Sequence, residues 1–302
     1  LIPVIFGPTA IGKTELLLSL SDHFPIEAIS MDSMQIYTEM DIGTAKPTHD
    51  ERQRLRHWMI DIVRPDEPFD AFSYARLCKA CIADVQSRGK IPIVAGGTGL
   101  YLDALLYGIA QGVQRDELVR AHLESQERER SGFLYQRLQK IDPPSAQRIH
   151  PNDLRRIIRA LEIHQITGKP WSDLRIHHQP DPQYRLVILS RDRSELYRRI
   201  EARAPIMVDS GLIDETRMLV QRYGTEHASM KAIGYRQTIQ YLQEEISSID
   251  DLKSVIARDT RHYARRQIIW GRKYSHALHW QLGSDPLGST PHDWMRTILG
   301  DT

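Results

Sequence analysis

The chain has 302 residues, room for about two domains, of which 41% are hydrophobic and 26% charged, with a formal net charge of +1. This mix excludes collagenous, low-complexity and disordered chains, and no apolar run approaches the ~18 residues of a membrane-spanning helix. The near-neutral sum hides a gradient: residues 1–110 hold ten Lys and Arg against fourteen Asp and Glu, residues 111–302 thirty against twenty-five.

The apolar run Ile2–Phe6 reads as a buried strand that begins at once, so no cleaved signal peptide is expected. A soluble, cytoplasmic protein is the expectation. Next come Gly7, Pro8, Thr9, Ala10, Ile11, Gly12, Lys13 and Thr14, a match to G-x-x-x-x-G-K-[ST] at every fixed position. The loop lies between a strand and a helix predicted over Lys13–Leu20, where its chemistry needs it. Glycines let backbone N–H groups turn around a diphosphate, and the helix N-terminus adds partial positive charge. Lys13 brings a full charge and Thr14 a hydroxyl for Mg²⁺, so the loop binds a diphosphate or triphosphate.

Glu27–Ser30 reads as a second strand, with Asp32 just past its carboxyl end, where doubly wound sheets bind ligands. There Asp32 is a turn former, a partner to a metal's ligands, or a general base for an acceptor arriving opposite the phosphates. A third strand is predicted over Trp58–Val63. Cys78 and Cys81, at i and i+3 on a helix with Leu77 and Ile82, read as core thiols, and two cysteines make no disulfide scaffold and no zinc site. The fourth strand, Ile91–Ala95, ends in Gly96-Gly97-Thr98-Gly99, where Thr98 either caps the next helix or donates to substrate.

From 111 to 184 the pattern is helical, over Glu117–Arg130, Gly132–Ile141 and Asp153–Thr167, broken by Pro143-Pro144, Pro151 and Gly168. Leu154, Ile157, Ile158 and Leu161 fall at i, i+3, i+4 and i+7, a stripe predicted to be buried. It turns Arg155, Arg156 and Arg159 outward, with Glu162 near them, either as a solvated face or as phosphate and base contacts. Arg185–Ser190 resumes the sheet, and 194–274 is nearly all helical. Arg198, Arg199 and Arg203 are either surface cations or aimed at a departing phosphate. Lys253–Lys273 carries seven basic residues and one acid, Asp259, again a solvated face or a polyanion footprint.

This order implies an α/β protein: a P-loop NTPase-like, doubly wound parallel sheet with an inserted all-helical domain. The core is expected at 1–110 and 185–302, with a helical C-terminal part, and the insertion at 111–184. A kinase in which Asp32 deprotonates an acceptor hydroxyl while ATP fills the loop stays open at this point. A GTPase lacks support, since no N-K-x-D motif occurs.

Seven motifs carry a resemblance across almost the whole chain: GPTAIGKT at 7–14, ISMDSMQIY at 29–37, MDIGTAKP at 40–47, GGTGLY at 96–101, RIHPND at 148–153, AIGYRQ at 232–237 and RRQIIW at 265–270. Together they resemble the bacterial tRNA dimethylallyltransferases, also called tRNA isopentenyltransferases. The resemblance implies a prenyltransferase with a channel that admits an anticodon loop. It would transfer a dimethylallyl group from dimethylallyl diphosphate to N6 of the adenosine at tRNA position 37, 3′ of the anticodon, releasing diphosphate. By the same resemblance Asp32 is the general base, Thr98 positions the adenine, and Arg203 joins Lys13, Thr14 and Mg²⁺ at the diphosphate. It further implies that Asp32, Ser33, Met34, Gln35, Thr98, Arg120, Arg155, Arg156, Ile157, Ile158, Arg159, Lys231, Ala232, Ile233, Gly234, Tyr235 and Arg236 touch the tRNA anticodon stem-loop. Ile269 stands where the family often has Thr. No membrane partner is implied, and a monomer is expected.

Overall fold

The computed structural model describes residues 1–108, 116–174, 179–283 and 290–299. They divide into two compact units, Leu1–Leu102 with Pro182–Thr302 and Asp103–Asp181. In chain order the first unit contains β1 (Ile2–Phe6), α1 (Lys13–Ser21), β2 (Ile26–Met31), α2 (His49–Arg54), β3 (His57–Trp58), α3 (Ala71–Ser87) and β4 (Ile91–Gly96). The division then falls inside α4 (Gly99–Tyr107). The second unit holds α5 (Glu117–Glu129), α6 (Phe133–Ile141), α7 (Pro143–Arg148), α8 (Leu154–Thr167) and a 3-10 turn at Trp171–Leu174. The first unit resumes with β5 (Tyr184–Arg191), α9 (Arg193–Asp209), α10 (Leu212–Tyr223), α11 (Tyr235–Leu242), α12 (Ile249–Gly271), β6 (Leu278–Leu282) and α13 (Pro291–Leu299).

The strands form one sheet in the order β3-β2-β4-β1-β5-β6, every pairing parallel. Parallel strands need crossovers that cover both faces, so β1 and β2 are apolar and buried along their length, with Glu27 the one charged exception. Register then decides where the loops emerge. Phe6 pairs with Gly96 and Ile188, and Gly96 also pairs with Met31, so Gly7, Gly97 and Asp32 leave the sheet along one edge. Gly96 has to be glycine, because a Cβ there would lie 2.0 Å from the Met31 carbonyl oxygen.

Three expectations need correction. The strand predicted at Trp58–Val63 pairs only through His57 and Trp58. Met59 and Asp61 take left-handed φ values of 62° and 57°, which breaks the extended run, and Val63 makes an isolated bridge to Tyr37. Pro143 and Pro144 begin α7 instead of breaking a helix: no intrahelical N–H is needed in a first turn, and Asp142 caps it through the Ser145 N–H. Leu154, expected in the stripe, is 39% exposed because it starts α8 and projects from its first turn. Ile157, Ile158 and Leu161 do enter the second unit's core, with Leu123, Leu134 and Leu138. Cys78 is buried and Cys81 half-buried, both free thiols, and burial pushes each upward in pKa, Cys78 to about 12.

Candidate active site

The phosphate loop closes on itself through Lys13, whose Nζ donates to the carbonyls of Gly7 and Pro8, both at 2.9 Å. Ala10 and Gly12 hold φ values of 61° and 109°, the alternation that turns successive N–H groups into one concavity. Three arginines grip the loop from outside. Arg191, at the end of β5, donates to the Ile11 carbonyl at 3.0 Å. On α9, Arg199 donates to the Ala10 carbonyl at 2.8 Å and pairs with Glu15, while Arg203 donates to Thr9 Oγ1 at 3.3 Å. Arg199 therefore supports the loop backbone, and Arg203 reaches a loop side chain.

Burial lowers Lys13 to about 8, partly offset by the Asp32 charge, with Arg203 pushing it down further. Burial also lowers Arg203, with Arg199 adding to the effect. Two crowded, desolvated cations form a site whose electrostatics call for an anion. Arg203 and Arg199 also line a cavity of about 880 Å³, together with Ile206 and Met207 from α9 and residues between 38 and 61 such as Ile42, Lys46 and Asp61.

Across the same sheet edge, Asp32 Oδ1 accepts the N–H groups of Met34 at 2.8 Å and Gln35 at 3.4 Å, which orients the carboxylate. Ser33 N–H donates to Thr98 Oγ1 at 2.9 Å, and Thr98 Oγ1 donates to Ser33 Oγ at 3.3 Å. Asp32, Ser33 and Thr98 are thus one assembly. Gln35 faces inward, its amide donating to the Thr44 and Ala45 carbonyls and its oxygen accepting from Ser30. Two phenols lie within reach of the Asp32 charge: Tyr101 and Tyr263 are both pushed up by burial and further by Asp32, so both stay protonated.

Thr14 sits in the first turn of α1, and no group of three or more His, Cys, Asp or Glu side chains among the described residues makes a metal cage. That donor, a lone hydroxyl at the phosphate loop, fits Mg²⁺, which keeps water and substrate oxygens as most of its ligands.

Several residues that the resemblance put against RNA are committed elsewhere. Ile157 and Ile158 are 0% and 6% exposed in the second unit's core, so their side chains meet no RNA. Glu162, expected on the outer face, is wholly buried. It accepts Arg120 through Nε and Nη2, both at 2.8 Å, Arg159 Nη1 at 2.7 Å and the Asp116 N–H at 2.8 Å. Burial opposes its charge, but Arg120, Arg159 and the Asp116 N–H hold its pKa at about 2. Arg120 and Arg159 are thereby half-buried ion-pair members, while Arg155 and Arg156 remain exposed, Arg156 with Asp153 at 3.4 Å.

In 231–236, Lys231 and Arg236 are exposed, Arg236 paired with Asp259. Ala232 and Ile233 are half-buried, and Gly234 and Tyr235 are buried. Tyr235 packs against Gly43 and donates to Glu215, whose carboxylate also accepts the N–H groups of Asp41, Ile42 and Gly43. That joint locks the 40–47 loop, a structural use of Tyr235 that its motif does not reveal. Along α12, Lys253, Arg258 and Arg261 are tied to Asp209, Asp259 and Glu201, which leaves less of the basic run for a polyanion than its charge count implies.

Sequence reasoning misses Gln267, Tyr263, Arg191 and Glu215. Gln267 has a signal, since it is the centre of RRQIIW. The others have none, because only the tertiary fold brings them to the site.

A phosphate loop with two desolvated cations and, on the same sheet edge at the end of β2, an oriented carboxylate form the site of a P-loop enzyme of group transfer. Residues 35–274 match the family model described as IPP transferase. The chain belongs to the IPP transferase family. It is similar to the tRNA dimethylallyltransferases of Thermotoga petrophila, 45% identical over 299 residues (99% of this chain, 98% of that one), and Fervidobacterium nodosum, 46% identical over 296 residues (98% and 94%). Among solved structures, the full-length tRNA isopentenylpyrophosphate transferase of Bacillus halodurans aligns with a TM-score of 0.72 at 36% identity, covering 99% of this chain and 95% of that one. A eukaryotic dimethylallyltransferase acting on tRNA aligns with a TM-score of 0.77 at 28% identity, covering 93% and 73%.

Proposed function

We propose that this chain is a tRNA dimethylallyltransferase that moves the dimethylallyl group of dimethylallyl diphosphate to N6 of adenosine 37. The observation that carries the reading is geometric: parallel register brings Gly7, Asp32 and Gly97 out along one sheet edge, with Arg203 on the Thr9 hydroxyl, so leaving-group cations and a base lie at one site. The P-loop N–H groups, Lys13 and Arg203 hold the diphosphate, and Mg²⁺ at Thr14 would neutralise further charge as the C–O bond breaks. N6 of adenine is a weak nucleophile because its lone pair is delocalised into the ring. Thr98 orients it, a bond forms from N6 to C1 of the prenyl group, the C–O electron pair leaves with the diphosphate, and Asp32 takes the N6 proton. The loop then holds a leaving group, and no phosphoryl group is transferred.

The anticodon stem-loop would be met by Asp32–Gln35 and Thr98 at the site, by Arg155 and Arg156 on α8, and by Lys231 and Arg236. Adenosine 37 lies in a single-stranded loop, so extruding it costs less than flipping a base from a duplex. The protein would work in the cytoplasm as a monomer; no helix among the described residues is long and apolar enough to cross a membrane.

The deciding experiment incubates the protein with unmodified tRNA and either dimethylallyl diphosphate or ATP, followed by nucleoside mass spectrometry. N6-dimethylallyladenosine at position 37 in the first arm alone is expected. A phosphorylated product in the ATP arm, or no product in either, overturns the reading.

A further inference from the structure

One face of α12 is seated on the acceptor loop at three consecutive residues. Tyr263, Gln267 and Trp270 stand at i, i+4 and i+7. Tyr263 places its phenol beside Thr98 and Gln267, close enough for both to favour its ionised form against burial. The Gln267 amide Nε2 donates to the Gly97 carbonyl at 2.9 Å. Trp270 lies against Gly99, where a Cβ would come within 2.4 Å of its ring. The other end of the Gln267 amide reaches the donor side: Oε1 accepts the Thr9 N–H of the phosphate loop at 2.9 Å. Thr9 in turn takes Arg203 on its hydroxyl.

Gln267 is 5% exposed, and both ends of its amide are engaged. Its two partners force its orientation, since one is an N–H and the other a carbonyl. A carboxylate would still accept from Thr9 but would oppose the Gly97 carbonyl. Gly97 leaves room for this approach, because a Cβ there would sit 2.1 Å from Nε2.

We propose that Gln267, with Tyr263, is a positioning residue that fixes the distance between the diphosphate loop and the Gly97–Thr98 acceptor loop, and so governs the rate of prenyl transfer. This rests on the prenyl-transfer reading above. Neither side chain is needed to hold either substrate. Both set how closely N6 and the prenyl carbon approach, and misplacement by about 1 Å costs on the order of 10²-fold in rate.

The test uses the full-length enzyme with saturating tRNA and dimethylallyl diphosphate, comparing wild type with Gln267→Glu, Tyr263→Phe and the double variant. Gln267→Glu should lower kcat about 10- to 100-fold, and Tyr263→Phe about 3- to 10-fold, with KM for both substrates within about threefold of wild type. The double variant should lose less than the product of the two single losses, because both act through Thr98 and Gly97. A melting temperature within a few degrees of wild type accompanies these losses if the role is positioning. Either single variant keeping kcat within twofold overturns the proposal, as does a loss appearing mainly in KM. If Gln267→Glu does not fold, Gln267→Met, which keeps the length and removes both hydrogen bonds, decides by the same criteria. A wild-type enzyme that makes no prenylated adenosine overturns the reaction itself, whereas active variants beside an active wild type overturn only this inference.

Discussion

Asp32 shows what one carboxylate contributes when half of it is already engaged. Oδ1 is oriented by the Met34 and Gln35 N–H groups, while Oδ2 takes no hydrogen bond among the described residues. Asp32→Asn keeps that shape and removes the proton acceptor, so kcat should fall about 10²–10⁴-fold while dimethylallyl diphosphate and tRNA still bind. A kcat within threefold of wild type would exclude Asp32 as the base. Lys13 supplies a pH signature. Its pKa in the free protein is lowered to about 8 from 10.5, chiefly by burial, so below pH 8 the folded protein holds a charged, desolvated lysine at full penalty, and that penalty fades as pH rises toward 10.5. A bound anion reverses the preference and restores the proton. Diphosphate binding should therefore return a proton to Lys13 near pH 8.5, whereas near pH 6.5 Lys13 already holds its proton and takes up none. Calorimetry in two buffers of different ionisation enthalpy measures this, and equal heats in both buffers at pH 8.5 would contradict it.

Among the elements, α8 departs most from its helical wheel. Periodicity correctly turns Ile157, Ile158 and Leu161 inward, yet it cannot foresee that Glu162 follows them. The carboxylate is tolerated in the core because Arg120 from α5 arrives with a bidentate pair and Arg159 closes from the preceding turn. Glu162→Gln leaves two partly buried guanidiniums without their counter-charge and should destabilise the second unit by about 3–5 kcal/mol. The native pair also carries a pH signature. Glu162 has its folded pKa depressed to about 2 from 4.5, so its stabilisation is present above pH 4.5 and is lost as pH falls toward 2. Thermal melts from pH 6 to pH 2.5 should show that loss in wild type and a flatter curve in Glu162→Gln; parallel curves would remove the role assigned to this network.

At the scale of the whole molecule, the charge gradient between the first 110 residues and the rest suits either a solvated face or a polyanion. Much of that positive charge is neutralised internally, as at Arg120, Arg159, Lys253 and Arg261. The exposed arginine charge that α8 leaves available to RNA therefore reduces to Arg155 and Arg156. Replacing both with Gln should leave folding within about ±0.5 kcal/mol per site and weaken tRNA binding. The log–log salt slope should flatten by up to ~0.7 for each single-strand phosphate that is no longer neutralised. KM for dimethylallyl diphosphate should stay constant, because its cations lie in the first unit. An unchanged tRNA Kd and salt slope would return these two arginines to solvent.

Local sequence determined the pieces whose physics is local. The P-loop spacing, the apolar runs of β1, β2, β4 and β5, and the strand-end placement of Asp32 and Thr98 all follow from patterns within about ten residues. Tertiary structure alone decided how those pieces meet. Parallel register set Gly7, Asp32 and Gly97 on one edge, although they lie tens of residues apart. It brought Gln267 258 residues along the chain to the Thr9 N–H, and Glu215 more than 170 residues back to the 41–43 backbone. It shortened β3 through two left-handed residues and recruited β6, whose only buried residue, Trp280, leans on Trp294 from α13. The physical reason is the same in each case: a hydrogen bond or buried charge is specified by the partner it finds, and the partner's position belongs to the packing of the whole chain.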